Sequence, residues 1–213
     1  MKLKKLNNLE FYLVTYSNIS RNGIISDVKN AIDAGCKIVQ YREKNKTTKD
    51  MISEAKRLKE LCYSKSVFLI NDHIDVALAV DADGVHLGQD DIAAYEARKI
   101  LGPDKVIGLT VHNEDEAIKA EQSGADYLGV APIFSTDTKE DSGVPCGVEM
   151  INKIRHITNL PIVAVGGINK TNVANVISNG ADGVVAVSAV LDSKDVYNNI
   201  KEFIDLVKEA KKL

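Results

Sequence analysis

Apolar residues recur along this chain in two alternating rhythms. Short apolar runs, with little that would face water, give way to longer segments in which apolar positions return every third or fourth residue. The first rhythm suits a buried strand and the second an amphipathic helix. The strands expected in this way are Phe11–Thr15, Lys37–Tyr41, Val67–Ile70, Gly84–Leu87, Val106–Leu109, the run that follows Gly124-Ala125-Asp126, Ile162–Val165 and Gly183–Val187. Pro132 ends the sixth run, because it has no N–H to give a ladder. The expected helices are Ile24–Ala34, a segment opened by Thr47-Thr48 that reaches Tyr63, Val76–Val80, Ala93–Leu101, Glu114–Ser123, Val148–Ile157, Asn172–Ser178 and Val196–Lys211.

One signature recurs where helices end and strands begin. Asp81-Ala82-Asp83-Gly84-Val85, Gly124-Ala125-Asp126-Tyr127-Leu128 and Gly180-Ala181-Asp182-Gly183-Val184 precede strands four, six and eight, and Ala34-Gly35-Cys36-Lys37-Ile38 is a weaker copy before strand two. Alternating β and α elements require parallel strands joined by right-handed crossovers. Eight such units in 213 residues match a minimal α/β single-domain (β/α)8 TIM barrel spanning residues 1–213. A doubly wound open sheet usually has fewer strands and a glycine fingerprint at its first turn, and this chain has none there.

Composition narrows the possibilities. Hydrophobic residues make up 45% and charged residues 27%, as in ordinary globular proteins. A net charge of −3 gives no electrostatic reason to expect nucleic acid or an acidic membrane surface, so any bound anion must be held by a local cluster. Cys36, Cys62 and Cys146 form no C-x-x-C pair. They predict neither a zinc site nor a disulfide framework, and fit a reducing cytoplasm. The beginning of the chain has no apolar core of signal-peptide length, and no apolar stretch approaches a membrane span.

Active sites of such barrels collect where strands end, so chemistry is sought there. After strand six, Thr136, Thr138 and Lys139 offer two neutral donors and one cationic donor suited to phosphate oxygens. At the end of strand two, Gln40, Arg42 and Lys44 share one face, which is either the barrel interior or a solvated rim. Asp72 after strand three and Asp91 after strand four could hold Mg²⁺ together with substrate phosphate and water. Both could instead cap helices, and Asp90 could exchange roles with Asp91. Thr110 could donate to an anion; His112 could be a base, although a lone histidine there is more often structural. Gly167, Val187 and Ser188, on the loops after strands seven and eight, match the phosphate site common in these barrels. Two anion sites and a metal suit the joining of two phosphorylated substrates with pyrophosphate as leaving group.

Gln40-Tyr41-Arg42-Glu43-Lys44, Asn71-Asp72, His86-Leu87-Gly88-Gln89-Asp90-Asp91, Pro132-Ile133-Phe134-Ser135-Thr136-Asp137-Thr138-Lys139 and Val165-Gly166-Gly167-Ile168 together resemble the thiamine-phosphate synthase family. The resemblance runs from strand two through strand eight. It implies a transferase that joins hydroxymethylpyrimidine diphosphate to hydroxyethylthiazole phosphate, giving thiamine phosphate and pyrophosphate. It further implies that Gln40, Arg42, Lys44, Asn71, Thr110 and Lys139 hold the pyrimidine diphosphate, that Arg42, Lys44 and Lys139 stabilise the departing group, and that Asp72 and Asp91 bind Mg²⁺. Thr136, Thr138, Gly167, Val187 and Ser188 would then hold the thiazole phosphate. The implied mechanism is dissociative, with no protein nucleophile. The expected partners are the two phosphorylated small molecules, with no nucleic acid or membrane, and self-association is left open.

Thr110 stands where the family commonly has serine, and Ala131 precedes Pro132 where glycine is usual. The related thiazole tautomerase branch would use a histidine near His112 and no metal, and a barrel that only binds thiamine precursors is a second rival. Residues 135–145 form a long connection, expected to act as a lid over the site.

Overall fold

The recurring signature before the even strands turns out to be a clamp at the lower rim of a barrel. The structure is a computed structural model, described for Leu6, residues 9–138 and residues 143–212. In each copy the residue three before the strand takes a positive φ: Gly35 at 100°, Asp81 at 50°, Gly124 at 86° and Gly180 at 105°. Glycine adopts this conformation without steric penalty, and aspartate tolerates it better than most residues. The next residue (Cys36, Ala82, Ala125 or Ala181) is buried. The aspartate then locks two strands together. Asp126 N–H donates to Ile107 O at 2.7 Å, while Asp126 Oδ2 accepts from Ile107 N–H at 2.8 Å. Asp83 clamps Phe68 and Asp182 clamps Ile162 in the same two-point way.

Each clamp also has a cation. Lys59, Arg98 and Arg155 lie 2.9, 2.6 and 3.0 Å from Asp83, Asp126 and Asp182. In the weaker copy Lys37 stands at the aspartate's position, and the thiol before it, Cys36 Sγ, donates toward Ile38 O at 3.1 Å and Phe11 O at 3.4 Å.

The three clamps lie at the base of a ring of eight parallel strands in sequential order. These are β1 (Tyr12–Val14), β2 (Ile38–Tyr41), β3 (Val67–Asn71), β4 (Gly84–Leu87), β5 (Val106–Val111), β6 (Tyr127–Val130), β7 (Ile162–Val165) and β8 (Gly183–Val185). A Phe11–Val184 bridge closes the ring. Helices α1 (Ile24–Asp33), α2 (Thr48–Cys62), α3 (Ile74–Ala79), α4 (Ala94–Leu101), α5 (Glu114–Gln122), α6 (Val148–Ile157), α7 (Val173–Ser178), α8 (Ser188–Leu191) and α9 (Val196–Ala210) follow the strands. The architecture is the expected barrel. The upper ends of two strands depart from expectation by two residues, and β1, β2 and β3 differ by single residues at their ends. β5 continues to Val111 because Thr110 and Val111 still pair with Gly129 and Val130, and β8 stops at Val185, two residues short of the expected Val187, which caps α8.

Strand alternation sorts side chains into two cores. Val39, Tyr41, Phe68, Ile70, Leu128 and Val130 point outward, where helices cover them. On α9, Val196, Ile200, Phe203, Ile204 and Val207 form the matching stripe, with the Phe203 ring 5.5 Å from that of Phe11. Burying one such side chain stabilises by roughly 1.5–3 kcal/mol. Inside, Tyr12, Ile38, Leu69, Val106, Tyr127, Val163 and Val185 fill the barrel, and Leu6 and Leu9 join them. Among the described residues no helix is long and apolar enough to cross a membrane.

Candidate active site

The upper ends of the strands surround a cavity of about 380 Å³. Gln40, Arg42 and Lys44 all line it, with Ile38 in the interior below them and Val39 and Tyr41 outside. The shared face of β2 is therefore the barrel interior. Arg42 is held by β1: Thr15 Oγ1 accepts from Arg42 N–H at 2.9 Å and donates to Arg42 O at 3.2 Å. The Tyr16 ring lies 5.2 Å from the guanidinium carbon, a cation–π contact that fixes the head as well as the backbone.

Glu43 faces away from the mouth and is buried. Its Oε1 accepts from the N–H groups of Lys44 and Asn45 at 2.8 and 2.9 Å, and Lys46 Nζ lies 3.5 Å from Oε2. Burial works against its ionisation, but these donors outweigh burial and hold the carboxyl below its ordinary range.

The aspartates expected to hold a metal meet in the same cavity. Asp72 and Asp91 both line it and lie near enough for each carboxyl to shift the other's pKa, and Lys44 Nζ lies 2.6 Å from Asp72 Oδ2. Neither caps a helix: α3 and α4 start after His73 and Ala93. Asp72 instead adopts φ 62°, a conformation uncommon outside glycine, while its N–H donates to His86 O at 2.9 Å. Asp91 Oδ2 accepts from Gly88 N–H at 2.7 Å, closing the turn after β4. Burial raises both carboxyls. At Asp72 the Asp91 carboxyl and the Lys44 ammonium more than reverse this, whereas at Asp91 the neighbouring Asp72 adds to it, so the pair retains a proton most readily on Asp91.

A pair of neighbouring carboxyls of this kind fits a divalent cation, whose charge would favour ionisation of both. Among the described residues no group of three or more His, Cys, Asp or Glu side chains converges as a metal site. A cation at this pair would have two protein carboxylates and draw its other oxygens from substrate and water, the usual manner of Mg²⁺.

Asn71 sits one residue before Asp72 at the end of β3, and Thr110 lies two strands along on β5; both line the cavity. Beneath them runs a line of polar groups that nothing in the local sequence pattern announces. Gln40 Nε2 donates to Tyr12 OH, which is 2.8 Å from Tyr127 OH. Tyr127 OH is 2.7 Å from His86 Nδ1, and His86 Nε2 is 2.9 Å from Thr110 Oγ1. His112 also borders the cavity, with its N–H and its ring Nδ1 both 2.8 Å from Glu116 Oε2 at the start of α5.

The opposite wall comes from the loops after β6, β7 and β8. Thr136, Thr138, Gly167, Val187 and Ser188 all border the cavity. The glycine pair serves packing first. A Cβ on Gly167 would come within 2.6 Å of Phe134 Cβ, and one on Gly166 within 2.8 Å of Pro132 Cβ. Ile133 and Phe134 N–H donate to Val165 O and Gly166 O at 2.9 and 3.1 Å, so the β7 turn and the start of the β6 loop lie flat against each other. Cys146 N–H returns to Pro132 O at 2.9 Å, bringing the far end of that loop back to its origin.

Twelve expected site residues thus converge on one cavity: Gln40, Arg42, Lys44, Asn71, Asp72, Asp91, Thr110, Thr136, Thr138, Gly167, Val187 and Ser188. Lys139, and the middle of the expected lid over residues 135–145, lie outside the described residues. Sequence reasoning assigned no role to Tyr12, Thr15, Tyr16, His86 and Tyr127. The available signal was Gly108 and Gly129, interior-facing glycines on adjacent strands, which often mark a close approach.

Comparison with known proteins gives a consistent answer. Residues 11–190 match the family described as thiamine monophosphate synthase. The chain is similar to a thiamine-phosphate synthase of Methanosarcina mazei, at 56% identity over 99% of this chain and 88% of the relative. It is also similar to a thiamine-phosphate synthase of Clostridium perfringens, strain 13, at 46% identity over 93% of this chain and 96% of the other. Among solved structures, a thiamine phosphate pyrophosphorylase from Pyrococcus furiosus superimposes with a TM-score of 0.87 at 37% identity, covering 96% of this chain and 98% of that one.

Proposed function

The chain belongs to the thiamine monophosphate synthase family, and from that membership and the arrangement of the mouth we propose that it joins hydroxymethylpyrimidine diphosphate to hydroxyethylthiazole phosphate, forming thiamine phosphate and pyrophosphate. The observation that carries this reading is a cavity with two differently equipped walls. Arg42, Lys44, Asp72 and Asp91 gather on one side, and Thr136, Thr138, Gly167 and Ser188 on the other. One phosphorylated partner would leave half of that equipment idle.

On this reading Arg42, Lys44 and the Thr110 hydroxyl receive the diphosphate, with Gln40 and Asn71 contacting the remainder of the same substrate. Asp72 and Asp91 would hold Mg²⁺, which supplies charge neutralisation for a leaving pyrophosphate. The bond from the pyrimidine methylene carbon to oxygen breaks and its electron pair leaves with pyrophosphate. Arg42 and Lys44 stabilise the charge that builds on the departing oxygen, an interaction stronger in the transition state than before it. Hydroxyl and backbone donors on the β6, β7 and β8 loops hold the thiazole phosphate so that the ring nitrogen faces the methylene carbon. That nitrogen supplies the electron pair of the new C–N bond. No proton is transferred and no side chain is alkylated; the protein contributes position and electrostatics.

The test is to mix both substrates with the purified protein and Mg²⁺ and to follow thiamine phosphate and pyrophosphate. Stoichiometric formation of the two products is expected. An isomerised thiazole phosphate without Mg²⁺, or binding of either compound without turnover, would overturn the proposal in favour of a tautomerase or a binding protein.

A further inference from the structure

The interior polar line is more elaborate than burial of two tyrosines and a histidine requires. Room for it is made by glycines in the strands, although glycine within a strand is costly by roughly 0.5–1 kcal/mol relative to alanine. A Cβ on Gly108 would lie 2.1 Å from Tyr127 Cζ, and one on Gly129 would lie 3.0 Å from His86 Cε1. Burial pushes the Tyr127 and Tyr12 hydroxyls well above their ordinary range, so each remains an O–H with one hydrogen to give.

That single hydrogen gives the line a direction. Gln40 Nε2 donates to Tyr12 OH, so the hydrogen of Tyr12 goes to Tyr127 OH. Tyr127 in turn donates to His86 Nδ1, which places the histidine hydrogen on Nε2, facing Thr110 Oγ1. Thr110 thereby receives a hydrogen bond from below and has its own hydroxyl hydrogen to offer elsewhere. At the other end, the Gln40 carbonyl is left to accept. If the Gln40 amide turned over, every group along the line would have to reverse. Thr110 would then spend its hydrogen on His86 and present only lone pairs.

We propose that Tyr12, Tyr127 and His86 are positioning residues that make the Gln40 amide and the Thr110 hydroxyl interdependent. Recognition of an N–H donor at Gln40 and of an anionic oxygen at Thr110 then reinforce each other across the barrel. The ligand this selects is a heteroaromatic amine bearing a phosphorylated arm, with both ends read at once. An amine without the arm, or an anion without the amine, selects the same hydrogen order but gains from it only once. The inference rests on the functional reading above for the identity of that ligand, the pyrimidine diphosphate, and on the interior geometry for the coupling.

Two measurements test it. In protein labelled with ¹⁵N-histidine, His86 is expected to be a single neutral tautomer with its hydrogen on Nε2, and Tyr127→Phe to release it into a mixture. Tyr127→Phe retains the ring and so preserves packing. In steady-state kinetics, Gln40→Ala and Thr110→Val are combined in wild-type and Tyr127→Phe backgrounds. In the wild type, their effects on KM for the pyrimidine diphosphate should be coupled by about threefold or more. In Tyr127→Phe they should multiply independently, with KM for the thiazole phosphate unchanged throughout. A tautomer mixture in the wild type, or coupling that survives Tyr127→Phe, overturns the relay. Absence of thiamine phosphate formation by the wild type overturns the functional reading, while the tautomer measurement still judges the relay.

Discussion

Lys44 Nζ lies 2.6 Å from Asp72 Oδ2, so the ammonium assigned to an incoming diphosphate already faces a carboxylate assigned to the cation. The two roles share one point. Arrival of a cation and a diphosphate together would give Asp72 and Lys44 each a new partner of opposite charge, replacing the ion pair between them. Neither charge would be left alone at any stage.

Asp91→Ala is expected to remove Mg²⁺-dependent turnover while leaving the fold intact. Loss of an outer-shell partner alone typically costs roughly 10- to 100-fold in metal affinity, and a direct ligand should cost at least that. Calorimetric titration of Mg²⁺ in the presence of pyrophosphate measures it. Undiminished affinity in Asp91→Ala would remove this carboxylate from the metal site.

Lys44→Ala and Ser188→Ala should separate the two walls of the cavity. Lys44→Ala should raise KM for the pyrimidine diphosphate and lower kcat, whereas Ser188→Ala should act mainly on KM for the thiazole phosphate. A hydrogen bond to a charged group is worth roughly 1.5–3 kcal/mol, about ten- to a hundredfold. Equal effects of both substitutions on both substrates would show that the division is wrong.

Thr15→Val should impair catalysis from outside the expected site. It preserves shape but removes the hydroxyl that meets both Arg42 N and Arg42 O. An unsatisfied buried polar group costs roughly 1–3 kcal/mol. The expected signature is a lowered kcat/KM for the pyrimidine diphosphate, with the thiazole phosphate affected less. A wild-type kinetic profile would mean that Arg42 holds its position without β1.

The difference between what was legible in the chain and what was not follows from how far each contact reaches. Strand and helix alternation is local, so the barrel could be read, and the inward run Gln40, Arg42, Lys44 needed only the two-residue period of a strand. Asp72 and Asp91 approach each other because β3 and β4 are neighbours, which the topology supplies. The interior line is different in kind. Tyr12 and Tyr127 are separated by 115 residues, and their hydroxyls meet only once the register of the whole ring is known. In the sequence each tyrosine is one more apolar strand residue. Thr15 and Tyr16 were invisible for a related reason: their partner, Arg42, belongs to another strand.

Glu43→Gln offers a test with pH as the variable. The folded carboxyl sits below its ordinary value of 4.5, so the stability it adds is fully present above that value and is lost as pH falls through the folded one. The variant should therefore be less stable than wild type at neutral pH, and the gap should close in acid. Denaturant unfolding at several pH values measures the difference. A gap constant with pH would mean that the charge of Glu43 contributes nothing.

Asp126→Ala should affect stability and spare chemistry. It leaves Ile107 N–H without its carboxylate and Arg98 without its ion-pair partner, at the end of the barrel away from the cavity. The expected loss is about 1–3 kcal/mol, read as a fall in Tm of about 2–4 °C per kcal/mol for a chain of this size. Both KM values should stay at the wild-type level. A change in either would mean that the lower rim communicates with the mouth.

The three aspartate clamps have a consequence for how such a barrel can change over evolutionary time. Strand alignment is secured at one rim by Asp83, Asp126 and Asp182, none of which borders the cavity at the other. The upper loops can therefore exchange residues, lengthen or adopt a new ligand without disturbing the alignment beneath them. Labour is divided along the barrel axis: the lower rim holds the frame, and the upper rim carries the side chains that face a ligand.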